Sequence, residues 1–170
     1  VLGTYPLDRS MADPSQIEHA AALLAAARAP IVIAGGGVHI SDASAELARL
    51  QETIGIPVAT TVMGKGAVDE NHELSVGVVG YFMGTRSRTR HLRHLVTDAD
   101  VVLLVGNRTN QNGTDNWDLY TRDARFIHID VDSGEVGRNY EALRLVGDAR
   151  VTLAALTGSL EKQNLDKRRS

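Results

Sequence analysis

The chain contains no cysteine, which removes disulfides, thiolate metal sites and thiol nucleophiles together. It has no apolar run near the roughly 20 residues needed to span a bilayer, so a membrane is not an expected partner. The segment from Val1 to Met11 lacks the basic and apolar regions of a signal peptide. Val at position 1, instead of Met, points to a piece of a longer chain. Basic charge is also short: 18 Lys and Arg against 21 Asp and Glu leave a net charge of -3, a field that repels a phosphate backbone. Nucleic acid is therefore not an expected partner, and a cytoplasmic location is expected. What is present is ordinary and globular. At 170 residues, 43% hydrophobic and 23% charged, the chain is one domain with a real core.

Residues 1–12 read as a linker, 13–158 as the domain and 159–170 as a charged tail. Asp13-Pro14-Ser15-Gln16 carries a cap, a first-turn proline and a capping-box glutamine, so the Ala-rich run from Ile17 to Arg28 is expected to be helical. Ile31 to Ala34 is a continuous apolar run, the mark of a strand buried on both faces. Ala43, Leu47, Leu50 and Ile54 fall at helix spacing and predict a helix over 41–54. Strands are predicted at 57–62, 75–79, 101–105, 126–131 and 145–146. Helices are predicted at 85–97, from Asp132 with Glu135 as a capping-box pair, and from Asp148 to Leu156. Strands alternating with helices give a parallel sheet wrapped by right-handed crossovers, a doubly wound α/β domain.

Ligands of open parallel sheets lie at the carboxyl ends of the strands, where helix N-termini present unpaired amides. Here nearly every strand ends in glycine: Gly35-Gly36-Gly37, Gly64 with Gly66, Gly80 with Gly84, Gly106 and Gly147. Glycine lets backbone approach a ligand closely and destabilises where it is not needed. Such turns repeated along one edge fit an elongated ligand lying across the sheet; tight turns alone are the competing explanation. A standard NAD site is disfavoured, because Ile40 stands where the third glycine of G-x-G-x-x-G belongs. The second strand ends Thr60-Thr61-Val62-Met63 without the acid that clamps the adenosine ribose. Acids instead follow other strands, at Asp130, Asp132 and Asp148. The last two also read as helix caps, whereas Asp130 does not. Arg108 could serve as a fixed, permanently charged fork for a diphosphate, or be a plain surface arginine.

Several blocks then form a pattern. They are Pro30 to Val38, Gly55 to Gly66, Gly77-Val78-Val79-Gly80, Ala99 to Gly106, Ile127 to Asp132, and Val146-Gly147-Asp148-Ala149. In this order and spacing they resemble the central domain of thiamine-diphosphate-dependent enzymes, acetolactate synthase in particular, over about residues 15–157. The resemblance implies a six-stranded Rossmann-like module lying between two thiamine-binding domains. It implies FAD in this module as in acetolactate synthases, ADP as in oxalyl-CoA decarboxylases, or no cofactor as in pyruvate decarboxylases. Carried onto matching positions, nucleotide contacts fall on Gly35, Gly36, Gly37, Thr61, Val62, Gly80, Gly106, Arg108, Asp130, Val131, Asp148 and Ala149. One departure matters. Flavin-binding members follow the Gly-x-Arg with Phe, two acids and a second arginine, and Arg108-Thr109-Asn110-Gln111-Asn112 has none of these. ADP-like ligands or an empty site therefore stand beside FAD.

The resemblance places the thiamine-activating glutamate in the preceding domain and the G-D-G…N magnesium loop in the following one. Gly147-Asp148 continues with Ala149 and is not that loop. No catalytic residue and no metal ligand is expected on this chain; thiamine diphosphate and magnesium belong to the parent enzyme. That parent would decarboxylate a 2-oxo acid and transfer the carbanion, with thiamine as electron sink. Flanking thiamine-binding domains are the expected partners, in a parent expected to be a homo-oligomer. The alternatives are a cofactor-free spacer or assembly domain, and an independent pyridine-nucleotide oxidoreductase. His91 and His94 sit three apart at a spacing that could hold a metal, but Arg86, Arg88, Arg90 and Arg93 around them repel a divalent cation.

Overall fold

The computed structural model describes residues 8–163. The apolar runs become strands: β1 (Pro30–Ala34), β2 (Val58–Thr60), β3 (Ser75–Val78), β4 (Val101–Val105), β5 (Arg125–Asp130) and β6 (Ala142–Val146). They form one sheet in the order β3-β2-β1-β4-β5-β6, and every pairing is parallel. This is the doubly wound order that reverses between β1 and β4, the crevice where such sheets take ligands. At the centre, Val32 lies opposite Leu103 and Ala34 opposite Val105, and all ten side chains of β1 and β4 except Pro30 are buried.

Alternation splits those strands between two cores. Val32, Ala34, Leu103, Val105, Ile127 and Ile129 face one side, against helices α1 (Pro14–Ala26), α3 (Ser44–Ile54) and α5 (Ala149–Lys162). Ile31, Ile33, Val102, Leu104 and Phe126 face the other, which is covered by α4 (Arg93–Thr97) and long connections. Tyr120 and Tyr140 pin those connections down. Tyr140 stacks on Phe126 at 4.5 Å between ring centres, and Tyr120 meets both rings edge-on at 5.3 Å. Asp13 caps α1 as expected, its carboxylate accepting the Ser15 and Gln16 amides, with Pro14 in the first turn.

Four helix expectations are corrected. The helix expected over 41–54 begins only at Ser44, as α3, after a separate short helix α2 (Gly37–Ile40), because Asp42 turns left-handed at φ 54° and the Ser41 hydroxyl is drawn to Asp148 at 2.7 Å. The helix expected over 85–97 is α-helical only in α4. Residues 85–91 offer no apolar side chain to bury, and Ser87 Oγ takes the Thr89 amide at 3.1 Å, a local bond that competes with the helix. The turn at Asp132 never becomes a helix: Asp132 Oδ1 accepts the Gly134 amide at 2.8 Å, and Gly137 at φ 77° ends it. The last helix runs on to Lys162 instead of stopping at Leu156. Of the regions read as linker and tail, residues 1–7 and 164–170 lie outside the described residues.

His128 on β5 is buried, and its Nδ1 accepts the Gly137 amide at 3.3 Å, which leaves the ring proton on Nε2. Among the described residues that nitrogen has no partner within hydrogen-bond distance. Burial lowers the pKa of His128, outweighing Asp130 and Glu135, whose charges act the other way. The native state therefore prefers the neutral ring, while the unfolded chain takes a proton near the ordinary value of about 6.5. The unfolded state binds more protons below that pH, so stability present above it is lost as the pH falls toward the native pKa. Melting temperatures measured from pH 7 to 5.5 are expected to fall for the wild type and to flatten in His128→Gln. Equal slopes in the two proteins would assign the effect to another group.

Candidate functional site

The positions implicated by sequence all lie at the carboxyl ends of the strands or just past them, but they do different work there. Gly35 and Gly37 follow β1, and their amides donate to the carbonyls of Val105 at 2.8 Å and Gly106 at 3.0 Å. A Cβ on Gly35 would overlap the Gly106 carbonyl oxygen, and one on Gly80 would overlap that of Asn112. Gly106 at φ 55° and Gly80 at φ 77° are also left-handed, where a side chain is strained. These glycines therefore let β1, β4 and the long loop after β4 close on one another. Main-chain packing explains them without a ligand. Gly36 differs: its missing Cβ faces Met63 alone, its Cβ at 3.1 Å and its carbonyl oxygen at 3.4 Å.

Thr61 follows β2, and its Oγ1 accepts the Gly64 amide at 3.1 Å, which presents Val62 and Met63 to solvent. Asp148 and Ala149 open α5. The Asp148 carboxylate accepts the Arg150 and Val151 amides as cap, and also Arg9 Nη1 at 2.9 Å and Ser41 Oγ at 2.7 Å. Burial raises its pKa, but the bonds from Ser41, Arg9 and Val151 outweigh burial and hold it below the ordinary carboxylate range. The Ser10 carbonyl meanwhile accepts the Asp148 amide at 2.8 Å. The segment before α1 thus straps the end of β6, and the acceptor capacity of Asp148 is taken up inside the chain.

Asp130 and Arg108 remain open. At the end of β5, Asp130 is half-buried, and its Oδ1 accepts only the Asp132 amide, at 3.0 Å. Arg108 is exposed and forms none of the ion pairs among the described residues. It leaves β4 just before Thr109, a buried β-branched residue held at φ 48°. Thr109 stays there because Asn107 Oδ1 accepts its amide at 2.8 Å and Asn139 donates to its hydroxyl at 2.7 Å.

An apolar rim surrounds these two charges, and sequence reading missed it. Among the described residues, nine large hydrophobics are exposed. Eight of them, Ile40, Val62, Met63, Tyr81, Phe82, Trp117, Val131 and Val146, end a strand or lie in the connection after one. The ninth, Met11, is beside Gly147 just past β6. Large apolar side chains exposed along one edge, and among the described residues nowhere else, mark a surface built to be covered. The pattern was hidden because each residue is isolated in the sequence; only the parallel sheet brings all the strand ends to one side. A cleft of about 610 Å³ opens at the far end of that side, lined by Val58, Thr60, Lys65, Phe82 and Arg88 among others. It lies along β2 and β3, away from Asp130. His91 and His94 are exposed on the covering face, where His94 Nδ1 bonds the His91 carbonyl at 2.8 Å.

Comparison with known proteins agrees with this architecture. Residues 17–156 match the family described as "Thiamine pyrophosphate enzyme, central domain". The chain belongs to that family. Among relatives, it is 41% identical over 153 residues to the "Probable acetolactate synthase large subunit" of Methanocaldococcus jannaschii, covering 89% of this chain and 25% of that one. It is 39% identical to the acetolactate synthase of Arthrospira platensis, with 89% and 26% covered. Identity to the glyoxylate carboligase of Escherichia coli O157:H7 is 34%, with 89% and 25% covered. The central domain thus spans about a quarter of the length of these relatives. A solved thiamin diphosphate-dependent enzyme from Mycobacterium smegmatis shares the fold, at a TM-score of 0.72 and 19% identity, over 93% of this chain and 30% of that one.

Proposed function

We propose that this central domain holds an ADP-containing nucleotide, FAD or ADP, along the carboxyl edge of its sheet, and carries no catalytic residue of its own. The observation that carries this is the apolar rim interrupted by Asp130 and Arg108. A nucleotide needs both kinds of group: a carboxylate to take a ribose hydroxyl pair or the adenine edge, and a guanidinium to pair with the diphosphate. Gly36, Thr61, Val62 and Val131 then supply contact surface. Gly35, Gly37, Gly80 and Gly106 shape the edge from beneath, and Asp148 with Ala149 closes its β6 end. In the parent enzyme, thiamine diphosphate with magnesium on the flanking domains supplies the electron sink for decarboxylating a 2-oxo acid. The residues of this domain position the nucleotide and brace those domains. The parent would be a homo-oligomer.

A second reading has its own support. The Gly35 and Gly37 amides are bonded to β4, and Asp148 is bonded within the chain. Both facts suit a cofactor-free spacer whose rim is covered by neighbouring domains. Thermal-shift titration separates the two. At a hundredfold excess over Kd, ADP or FAD is expected to stabilise by about 2.7 kcal/mol, a rise of roughly 5–10 °C, and Asp130→Ala to abolish it. No shift with either nucleotide at millimolar concentration favours the spacer. A larger shift with NAD than with ADP favours an oxidoreductase.

A further inference from the structure

We propose that Trp117 is the stacking surface for the flat ring of the bound nucleotide, an inference that rests on the nucleotide reading above. Trp117 is the one tryptophan of the chain, and it is 47% exposed. An apolar ring this large is normally buried unless something covers it. It does not move freely: its indole N–H donates to the Thr109 carbonyl at 2.9 Å, and its amide donates to Thr114 Oγ1 at 3.1 Å. The backbone beneath it is strained. Asp115, Asn116 and Trp117 follow one another at φ 50°, 63° and 60°, a left-handed run in which Asp and Asn are tolerated singly but a bulky Trp is not. Strain of this kind persists only where the surroundings enforce it, and it gathers at ligand clamps. Here Arg93 pairs with Asp115 and Gln111 donates to Asn116 at 2.9 Å.

The loop that carries Trp117 also roofs the candidate edge. Its Asn112 carbonyl accepts the Tyr81 amide past β3 at 3.1 Å. Gly113 lies beside the Thr61 methyl past β2, and Thr109 is tied to Asn139 from the connection after β5. Trp117 is therefore anchored by its polar edge to the residue that follows Arg108, with about half its surface open. A ring anchored at its N–H edge with about half of the residue exposed is available for stacking on another π-system. A nucleotide whose diphosphate pairs with Arg108 carries such a ring, the nucleobase or, in FAD, the flavin. The recognised chemistry is thus a planar heteroaromatic ring joined to a diphosphate.

Because no other tryptophan contributes, the emission of the 170-residue chain reports on this ring alone. ADP titration is expected to quench it, saturating at the concentration that saturates the thermal shift, and inorganic pyrophosphate is expected not to. Trp117→Phe and Trp117→Leu both remove the N–H bond to Thr109, so their difference isolates stacking. Trp117→Phe is expected to keep ADP affinity within about twofold of the wild type. Trp117→Leu is expected to weaken it at least about fivefold, the lower end for base–aromatic stacking. If ADP raises the melting temperature but leaves emission unchanged, and Trp117→Leu binds like Trp117→Phe, the stacking role is overturned and the nucleotide reading stands. If ADP and FAD bind neither wild type nor variant, both are overturned. Should Trp117→Leu fail to fold, the wild-type quenching and its pyrophosphate control still decide.

Discussion

Gly35→Ala is expected to lower stability by at least about 3 kcal/mol, near the upper end of single-site effects. For a domain of this size that is a fall in Tm of roughly 6–12 °C. The added methyl would occupy the place of the Gly106 carbonyl oxygen. That carbonyl is fixed, because it accepts the Gly37 amide at 3.0 Å. Nothing flexible stands in the way to absorb the overlap; β1 and β4 would have to part at the centre of the sheet. Gly80→Ala should do comparable damage, with its overlap onto the Asn112 carbonyl added to the cost of a left-handed alanine. Gly36→Ala is the control. Its Cβ would meet Met63 Cβ at 3.1 Å and the Met63 carbonyl oxygen at 3.4 Å, contacts that this exposed turn relieves by giving a few tenths of an ångström, so a change within about 1 kcal/mol is expected. Denaturant unfolding of the three variants checks the order. A Gly35→Ala protein as stable as Gly36→Ala would show that β1 and β4 do not close as described.

Asp148→Ala is expected to cost about 2–4 kcal/mol. The substitution uncaps α5 and leaves the Arg9 guanidinium, paired at 2.9 Å with side chains 23% and 7% exposed, with only its bonds to Ser41. It also frees the Ser41 hydroxyl, on which the α2–α3 break depends. The partial exposure of Arg9 lets water soften the loss, so the cap and the Ser41 bond carry much of it. The effect has a pH signature. A carboxyl held below its ordinary value of about 3.9 contributes stability that is present above that pH and lost as the pH falls through the native pKa. The gap between wild type and Asp148→Ala should therefore be full at pH 7 and close only in strong acid. Chemical denaturation at pH 7 and at pH 3 measures it; a gap that closes already near pH 6 would implicate a histidine instead.

The architecture was legible in the amino-acid order because the strands are buried on both faces. Val101-Val102-Leu103-Leu104-Val105 can sit only between two cores, and four such runs, β1, β2, β4 and β5, separated by helical spacing leave little but a parallel sheet. Asp13 and Asp148 were legible as caps because capping is local: the acceptor and its amides are within three residues. The short segments were not legible. The 85–97 region has helix formers at its end, but whether Arg86 to Arg90 coils into a helix depends on an apolar face that it lacks and on the Ser87 side-chain bond that replaces it.

The candidate edge divides along the same line. Its membership, which residues follow which strand, came from the order of blocks alone, since chain order and strand ends are one-dimensional facts. What each residue does there was a matter of distance. Gly35 and Gly106 are 71 positions apart yet leave no room for a methyl between them, and Asp148 is claimed by Arg9 from the other end of the chain. Left by that competition, among the described residues, are Asp130, Arg108 and nine exposed apolar side chains at the strand ends. Local sequence determines secondary structure and caps because those bonds close within a few residues. The tertiary structure alone decides which groups stay open to a ligand, because their competitors arrive from elsewhere in the chain.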